Sequence, residues 1–331
     1  IRDRAPRVTG DPSAVRGMRD GLDAQEVREL REVHAEDRGL SPLRGEGAGP
    51  PPGQVLPGRP VCEVPEGHEG GREGLRETTV KEAKRVELRD PVLIEGLPGM
   101  GSVGSIAAQY LVDRLPAEKF AELYSPHFPY YVVVDKEGGV RLLRGEFYLW
   151  ESKRGKSDLI LLTGDSQAQT LEGQYEVSGR ILDFARDHGV KTIITIGGYQ
   201  AEAKETPAVV AVSTSRELLE RALGAGASAS PAGNPIVGTA GLLLGLAGLR
   251  DIDALCLLGE TRGYMPDPRA AKSVLGVLQR LLGIRVDLSG LDKEIGKSEE
   301  IAERMQRIEE QREAYAREMR KAEEGRITYI S

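Results

Sequence analysis

Residues 91–104 read PVLIEGLPGMGSVG, an apolar run that ends in glycine and leads into a glycine-rich turn. The run at 91–96 predicts a short buried strand. From 102 to 115 the apolar residues recur at helical spacing, which predicts a helix directly after the turn. A buried strand, a glycine turn and a helix in this order are typical of folds in which strands and helices alternate.

The alternation of strands and helices continues along the chain. Further strands are predicted at 159–163, 192–196, 208–213 and 254–258, and further helices at 175–188, 216–223, 236–248 and 269–282. Two β-rich runs, 130–134 and 140–150, flank the turn KEGG and predict a hairpin. The sequence therefore predicts an α/β fold, a three-layer α/β/α domain with a mostly parallel sheet over 81–290, followed by a C-terminal amphipathic helix and tail over 291–331.

Residues 1–80 differ in composition from the rest of the chain. All the aromatic residues (1 Trp, 10 Tyr and 4 Phe) lie after residue 80, whereas 1–80 hold 13 Gly, 9 Pro and 12 Arg but no Lys. This composition predicts a disordered extension, because it offers too little apolar surface to offset the entropy of ordering. Two interpretations stay open: a regulatory tail, or upstream sequence outside the native coding sequence. The composition favours the second.

Composition and charge exclude several functional classes. No window approaches 18 uninterrupted apolar residues, so no transmembrane helix is predicted. The net charge of −7 is not typical of a nucleic-acid-binding protein. Cys62 and Cys256 form no disulfide or metal pattern, and the four histidines show no ligand spacing. We therefore expect a cytoplasmic protein with no metal, no cofactor, no nucleic-acid partner and no membrane partner.

Gly99, Gly101 and Gly104 form a G-x-G-x-x-G pattern between the predicted strand and helix. Glycines at these positions let a phosphate approach the backbone, and a helix N-terminus attracts negative charge. In dinucleotide-binding proteins an acidic residue about 20 residues later holds the ribose, and Glu122 lies near that distance. The alternative is a tight turn whose glycines let the helix pack closely on the sheet. The pattern favours this alternative, since Pro98 lies in the loop and Glu122 is not at a clear strand end.

Polar residues follow two other predicted strands, and a parallel sheet would bring them to the same edge. Asp165 and Gln167 follow the strand at 159–163, and Arg262 follows the strand at 254–258. Arg262 either binds an anion there or pairs with an acidic neighbour. Because no G-x-S-x-G or H-E-x-x-H motif occurs, we expect no catalytic residues. The alternative is a nucleotide- or phosphate-binding enzyme whose anion site is formed by Gly99, Gly101, Gly104 and Arg262.

Five short motifs occur in a fixed order: GLPGMG at 96–101, GDSQ at 164–167, GGY at 197–199, GTAG at 238–241 and PDPRAA at 266–271. Together they resemble the archaeal branch of the proteasome assembly chaperone family, over about residues 86–290. The resemblance implies a non-enzymatic α/β domain that forms homo-oligomers and acts as a chaperone or activator on the α subunits of the proteasome core particle. It also implies that the glycine turn is architectural and that no cofactor is bound.

An apolar seam runs along the predicted C-terminal helix at heptad spacing, formed by Ile301, Met305, Ile308, Tyr315 and Met319. Charged residues between these positions predict a solvated opposite face. Two interpretations stay open. The helix either folds back on its own domain, or its seam packs between subunits or lies on a projecting arm.

The last residues after this helix include Ile327, Tyr329, Ile330 and Ser331. Proteasome activators of the family that the chain resembles end in a hydrophobic–Tyr–any-residue tail, whose tyrosine and terminal carboxylate dock between α subunits. The resemblance therefore implies that these four residues form a proteasome-docking element. Tyr329 is third from the end, so the match is offset by one residue.

Overall fold

A computed structural model of the chain describes residues 75–327 except 137, 153–156 and 203–205. The described helices are α1 Val103–Arg114, α2 Leu171–Asp187, α3 Arg216–Gly224, α4 Thr239–Ala247, α5 Pro268–Leu282 and α6 Gly290–Ile327. The described strands are β1 Thr79–Glu82, β2 Val92–Glu95, β3 Glu118–Tyr124, β4 Val132–Val134, β5 Val140–Leu142, β6 Gly145–Trp150, β7 Leu159–Gly164, β8 Thr192–Gln200, β9 Val209–Ser213, β10 Ser228–Ala229 and β11 Asp253–Thr261. None of these helices is long and apolar enough to cross a membrane.

Nine of the described strands form one sheet in the order β1-β3-β6-β7-β2-β8-β11-β9-β10. Its centre consists of the parallel strands β7, β2, β8 and β11. On one side β6, β3 and β1 add antiparallel pairs, and on the other side β9 pairs antiparallel with β11. The predicted α/β fold with a parallel centre is confirmed, and the antiparallel extensions make the sheet as a whole mixed.

Helices cover both faces of the sheet, which confirms the three predicted layers. On one face α1, α3 and α5 pack through a core that includes Ile94, Leu111 and Leu275. On the other face α2 and α4 pack through a core that includes Leu93 and Ile181. Leu93 and Ile94 are neighbours on β2 and are both fully buried. Because successive side chains point to opposite faces, a strand covered on both sides is apolar throughout.

The predicted hairpin is present, but its second run is divided between two sheets. β4 and β5 pair antiparallel in a separate two-stranded sheet, whereas β6 belongs to the main sheet. The run breaks at Leu143, which is buried in the core, and at Arg144, whose backbone N–H donates to Asp165 at 3.0 Å. Since apolar residues lie on both sides of this break, the sequence pattern predicted one strand where two exist.

The predicted boundary between residues 80 and 81 falls inside β1 and has to move toward the N-terminus. Thr78 is buried, its N–H donates to Glu176 at 2.6 Å, and its hydroxyl lies 2.9 Å from that of Ser125. Val80 pairs with Leu123 and packs against the core. Residues 78–80 therefore belong to the folded domain. Residues 1–74, the rest of the predicted extension, lie outside the described residues.

We predict that β1 contributes measurably to stability. A chain that begins at residue 84 should unfold at a lower temperature than one that begins at residue 75, because it lacks the ladder to β3 and the buried Thr78. Each kcal/mol lost corresponds to about 2–4 °C for a domain of this size. Thermal unfolding followed by circular dichroism measures the difference, and equal midpoints would contradict a structural role for β1.

Candidate functional site

The carboxyl ends of the central strands form one edge of the sheet, where the loops after β2, β7 and β11 meet. The carbonyl oxygen of Gly101 accepts from the N–H of Asp267 at 2.8 Å, and the N–H of Gly101 donates to Gly263 at 3.4 Å. The amide of Gln167 donates to the carbonyl of Pro98 at 2.7 Å. Hydrogen bonds thus hold the three loops together at the edge where α/β folds bind ligands.

The glycine turn after β2 packs tightly against its neighbours. A side chain at Gly104 would overlap the backbone oxygen of Ile196 on β8, and one at Gly96 would overlap that of Gly104. Gly101 has φ of +60°, and a β-carbon there would lie 2.6 Å from the hydroxyl of Thr261. Protein atoms therefore fill the space beside these glycines, and the geometry favours the packing role over a phosphate cradle. Gly99 lies at the rim, where a β-carbon would meet only the Gln167 amide at 3.4 Å.

Gln167 occupies the N-terminus of α4, the kind of position at which many α/β proteins bind an anion. Its side-chain oxygen accepts from the N–H of Thr239 at 2.9 Å and from the Thr239 hydroxyl at 3.1 Å. Since its amide also bonds to Pro98, Gln167 links the glycine turn to α4 across the sheet edge. The sequence placed Gln167 at this edge but gave no sign of the linking role, which depends on residues about 70 positions away in each direction.

Arg262, the predicted anion-binding cation, is exposed and donates to the hydroxyl of Tyr264 at 3.1 Å. The acidic neighbours expected to pair with it are engaged elsewhere. Glu260 is buried and accepts from the hydroxyl of Tyr199 at 2.7 Å, while Asp267 caps α5 by accepting from the N–H of Ala270 at 3.0 Å. Burial and the Glu260 carboxylate together raise the pKa of Tyr199 to about 12.

Glu122, the candidate ribose ligand, lies far from the glycine turn in the sheet. It is on β3, and β6 and β7 separate β3 from β2. There its carboxylate forms ion pairs with Lys119 at 2.6 Å and with Arg144 at 3.0 Å, and it accepts from the hydroxyl of Tyr124 at 2.7 Å. The dinucleotide interpretation required the next strand to lie beside β2, so the sheet order contradicts it.

Glu95 is a buried carboxyl group that the sequence analysis did not single out. It ends β2, between Leu162 of β7 and Thr195 of β8, and is 1% exposed. One carboxyl oxygen accepts from the N–H of Leu97 at 3.0 Å, and the other meets no hydrogen-bond partner among the described residues. Burial raises the pKa of Glu95 to about 8, although the bond from Leu97 acts in the opposite direction. The neutral, protonated form is therefore favoured below that pH.

Within the described part of the chain, no group of three or more His, Cys, Asp or Glu side chains is placed to hold a metal ion. Cys256 is fully buried in β11, and burial raises the pKa of its thiol to about 12. A thiol of this kind is a packing group rather than a nucleophile.

The helix α6 runs antiparallel to α5, and its first part is fastened to the domain. Leu291 is buried in the core, Arg269 of α5 pairs with Glu299 at 3.3 Å, and the hydroxyl of Ser298 donates to the carbonyl of Pro266 at 3.0 Å. Along these contacts α6 runs from the amino edge of the sheet to its carboxyl edge. From residue 303 onward every described side chain is exposed.

The predicted seam on α6 is exposed over its whole length: Ile301 44%, Met305 53%, Ile308 38%, Tyr315 66% and Met319 48%. The contacts of 290–299 therefore agree with a helix that folds back on its own domain, whereas the exposure of the seam favours packing between subunits or a projecting arm. We call residues 303–327 the arm. Of the predicted docking residues, Ile327 ends α6, while Tyr329, Ile330 and Ser331 lie outside the described residues.

The chain is similar to a set of related proteins. Residues 93–309 match the model of the PAC2 family. PbaB of Pyrococcus furiosus, described as an archaeal proteasome activator, is 41% identical with a TM-score of 0.67, covering 70% of this chain and 100% of PbaB. PbaA of the same organism, described as an archaeal homolog of proteasome-assembly chaperone, is 29% identical with a TM-score of 0.58, covering 77% of this chain and 100% of PbaA. An uncharacterized protein of Methanocaldococcus jannaschii is 35% identical over 233 residues, which are 70% of this chain and 89% of that protein.

We predict that Gly104→Ala destabilises the fold by about 1–3 kcal/mol, because the added methyl group overlaps a backbone oxygen that cannot move freely. The matched control is Gly245→Ala on α4, where a β-carbon meets no atom within 4 Å. The control should be neutral or slightly stabilising, since alanine favours a helix. Urea unfolding of both variants checks this, and equal stabilities would argue against a packing role for Gly104.

We predict that Glu95 makes the fold less stable as the pH rises from about 4.5 to about 8. The unfolded chain loses the Glu95 proton near the ordinary value of 4.5, whereas the folded chain keeps it until about 8. Between these values the unfolded state binds fewer protons, so the free energy of unfolding falls by up to about 1.4 kcal/mol per pH unit. The Glu95→Gln variant should lack this slope. The assignment is contradicted if the free energies of unfolding of the two proteins change with pH in the same way from pH 5 to 9.

Proposed function

The chain belongs to the PAC2 family, and we propose that it binds the proteasome core particle as a non-enzymatic assembly chaperone or activator. The observation that carries the proposal is the 41% identity to PbaB over the whole of that protein. The chain's own residues agree with it, because the carboxyl edge is filled by Gln167, Thr239 and the glycine turn. We expect the protein in the cytoplasm together with this partner.

The proposed contact is the C-terminal tail, presented by the arm to the α-ring of the core particle. From Glu299, which pairs with Arg269 of α5, to Ile327 the helix rises about 42 Å at 1.5 Å per residue. That length carries the end of α6 well beyond these contacts. In this proposal the Tyr329 ring enters an apolar pocket between two α subunits, and the terminal carboxylate of Ser331 pairs with a cation there.

The proposal also includes a homo-oligomer in which arms associate through the seam. Four exposed apolar side chains of the arm, Met305, Ile308, Tyr315 and Met319, are spaced for contact with another helix. Arms that associate present several tails to one ring at once. Multivalency then strengthens a weak single contact without any new interaction.

We predict that Tyr329→Ala abolishes co-purification with the core particle, because the docking side chain is lost. Removal of the last six residues should have the same effect, while both variants keep the oligomeric state and the melting temperature of the parent. Tyr264→Ala is the matched control, since Tyr264 is 66% exposed and lies outside the tail. This variant should bind as the parent does.

The offset of the tyrosine has its own test. Deletion of Ile330 moves Tyr329 to the penultimate position, and we expect this variant to bind at least as strongly as the parent. If Tyr329→Ala binds normally, tail docking is refuted. If Tyr329→Ala instead lowers the melting temperature, the tail packs on its own domain.

A further inference from the structure

The β4–β5 hairpin presents one face to the domain and the other to solvent. Val133 packs against the core, and the guanidinium of Arg141 forms two hydrogen bonds to Asp165 at 2.6 and 2.9 Å. Because side chains alternate along a strand, the neighbouring positions must point outward. The hairpin is therefore fastened through its inner face.

The outward-facing positions of β4 and β5 are all apolar. The register pairs Val132 with Leu142 and Val134 with Val140, so these four side chains form two cross-strand pairs without a charge between them. All four are exposed, Val134 to 62% and Leu142 to 52%. Tyr130 and Tyr131, directly before β4, are exposed as well, the first of them completely. We call these six side chains the hairpin patch.

The hairpin patch is large for a surface that stays in contact with water. Six large apolar side chains expose on the order of 600 Å², close to the ~800 Å² that each partner buries in a standard protein interface. Patches of this extent on soluble proteins usually mark an interaction site. The patch cannot turn inward, since a shift of one residue would expose Val133 and detach Arg141 from Asp165.

We propose that a second copy of this chain covers the hairpin patch, at a contact separate from the α6 seam. Two observations favour a copy over a different protein. The patch lacks charged members, as do the cores of permanent homomeric interfaces, whereas transient partners meet mixed surfaces. In addition, β4 and β5 pair only with each other among the described strands, so each has an open edge that an identical edge can meet.

A partner that buries the hairpin patch permanently also has to be present whenever this protein is present. A second copy satisfies this requirement by itself, because it is made together with the first. The inference rests on the proposed homo-oligomer and gives it a second interface, formed by the α/β domain rather than by the arm.

The test is the mass of the full chain in solution, measured by light scattering without any proteasome present. The assembly formed by the double variant Val134→Lys/Leu142→Lys should have at most about half the mass of the parent's assembly. Its melting temperature should equal that of the parent, because both side chains are exposed. The matched control is Val237→Lys/Leu249→Lys, which changes the same residue types at positions 85% and 81% exposed. The control should keep the parent's mass.

Any of three results would overturn the inference. The parent could be monomeric, the hairpin variant could form an assembly of unchanged mass, or the control could lose as much mass as the hairpin variant. Ile308→Lys on the seam separates it from the proposed arm contact, since a loss of mass in that variant alone supports the seam and refutes the hairpin. The tail variants separate it from proteasome binding, because Tyr329→Ala should keep the mass of the free protein. Amide hydrogen exchange of 130–142 provides a second measurement, with at least tenfold slower exchange expected in the parent than in the hairpin variant.

Discussion

The close contact of Gly96 with Gly104 sets the depth at which α1 lies on the sheet. Neither position has room for a β-carbon, because each faces the backbone of the other or that of β8. This approach brings the turn after β2 against Thr261 at the end of β11 and places Pro98 within reach of Gln167. The arrangement of the whole carboxyl edge depends on the absence of two side chains.

Much of the fold could be predicted from the sequence, because the central strands are covered on both faces. β2, β7 and β11 are nearly continuous apolar runs, and such runs stand out against the amphipathic helices between them. The family resemblance could be recognised from the sequence because structural constraints restrict the residues of its motifs. The five motifs lie at strand ends and helix starts, where close packing or capping leaves few residue types that fit, as at Gly101 and Asp267.

Other features could not be predicted, since they depend on contacts between distant parts of the chain. β3 carries polar residues on its more exposed face, so its sequence pattern resembles a loop. Its strand conformation depends on pairing with β1 and β6. Glu95 looks like the polar end of a strand, but in the folded domain its side chain is buried between the neighbouring strands β7 and β8. The heptad pattern located the seam but not its surroundings, because the same spacing of Ile308 and Tyr315 fits a helix on its own domain or a free arm.

The continuity of α6 imposes an angular rule on the arm. One helix connects Leu291, buried in the core, to Ile327 at the tip, so no joint absorbs a change in length. Each residue inserted into the arm rotates the tip by about 100° about the helix axis and moves it outward by about 1.5 Å. Seven inserted residues return the tip to within about 20° of its former direction. Related proteins whose arms differ in length should therefore differ by whole heptads if their tails are to face the same way.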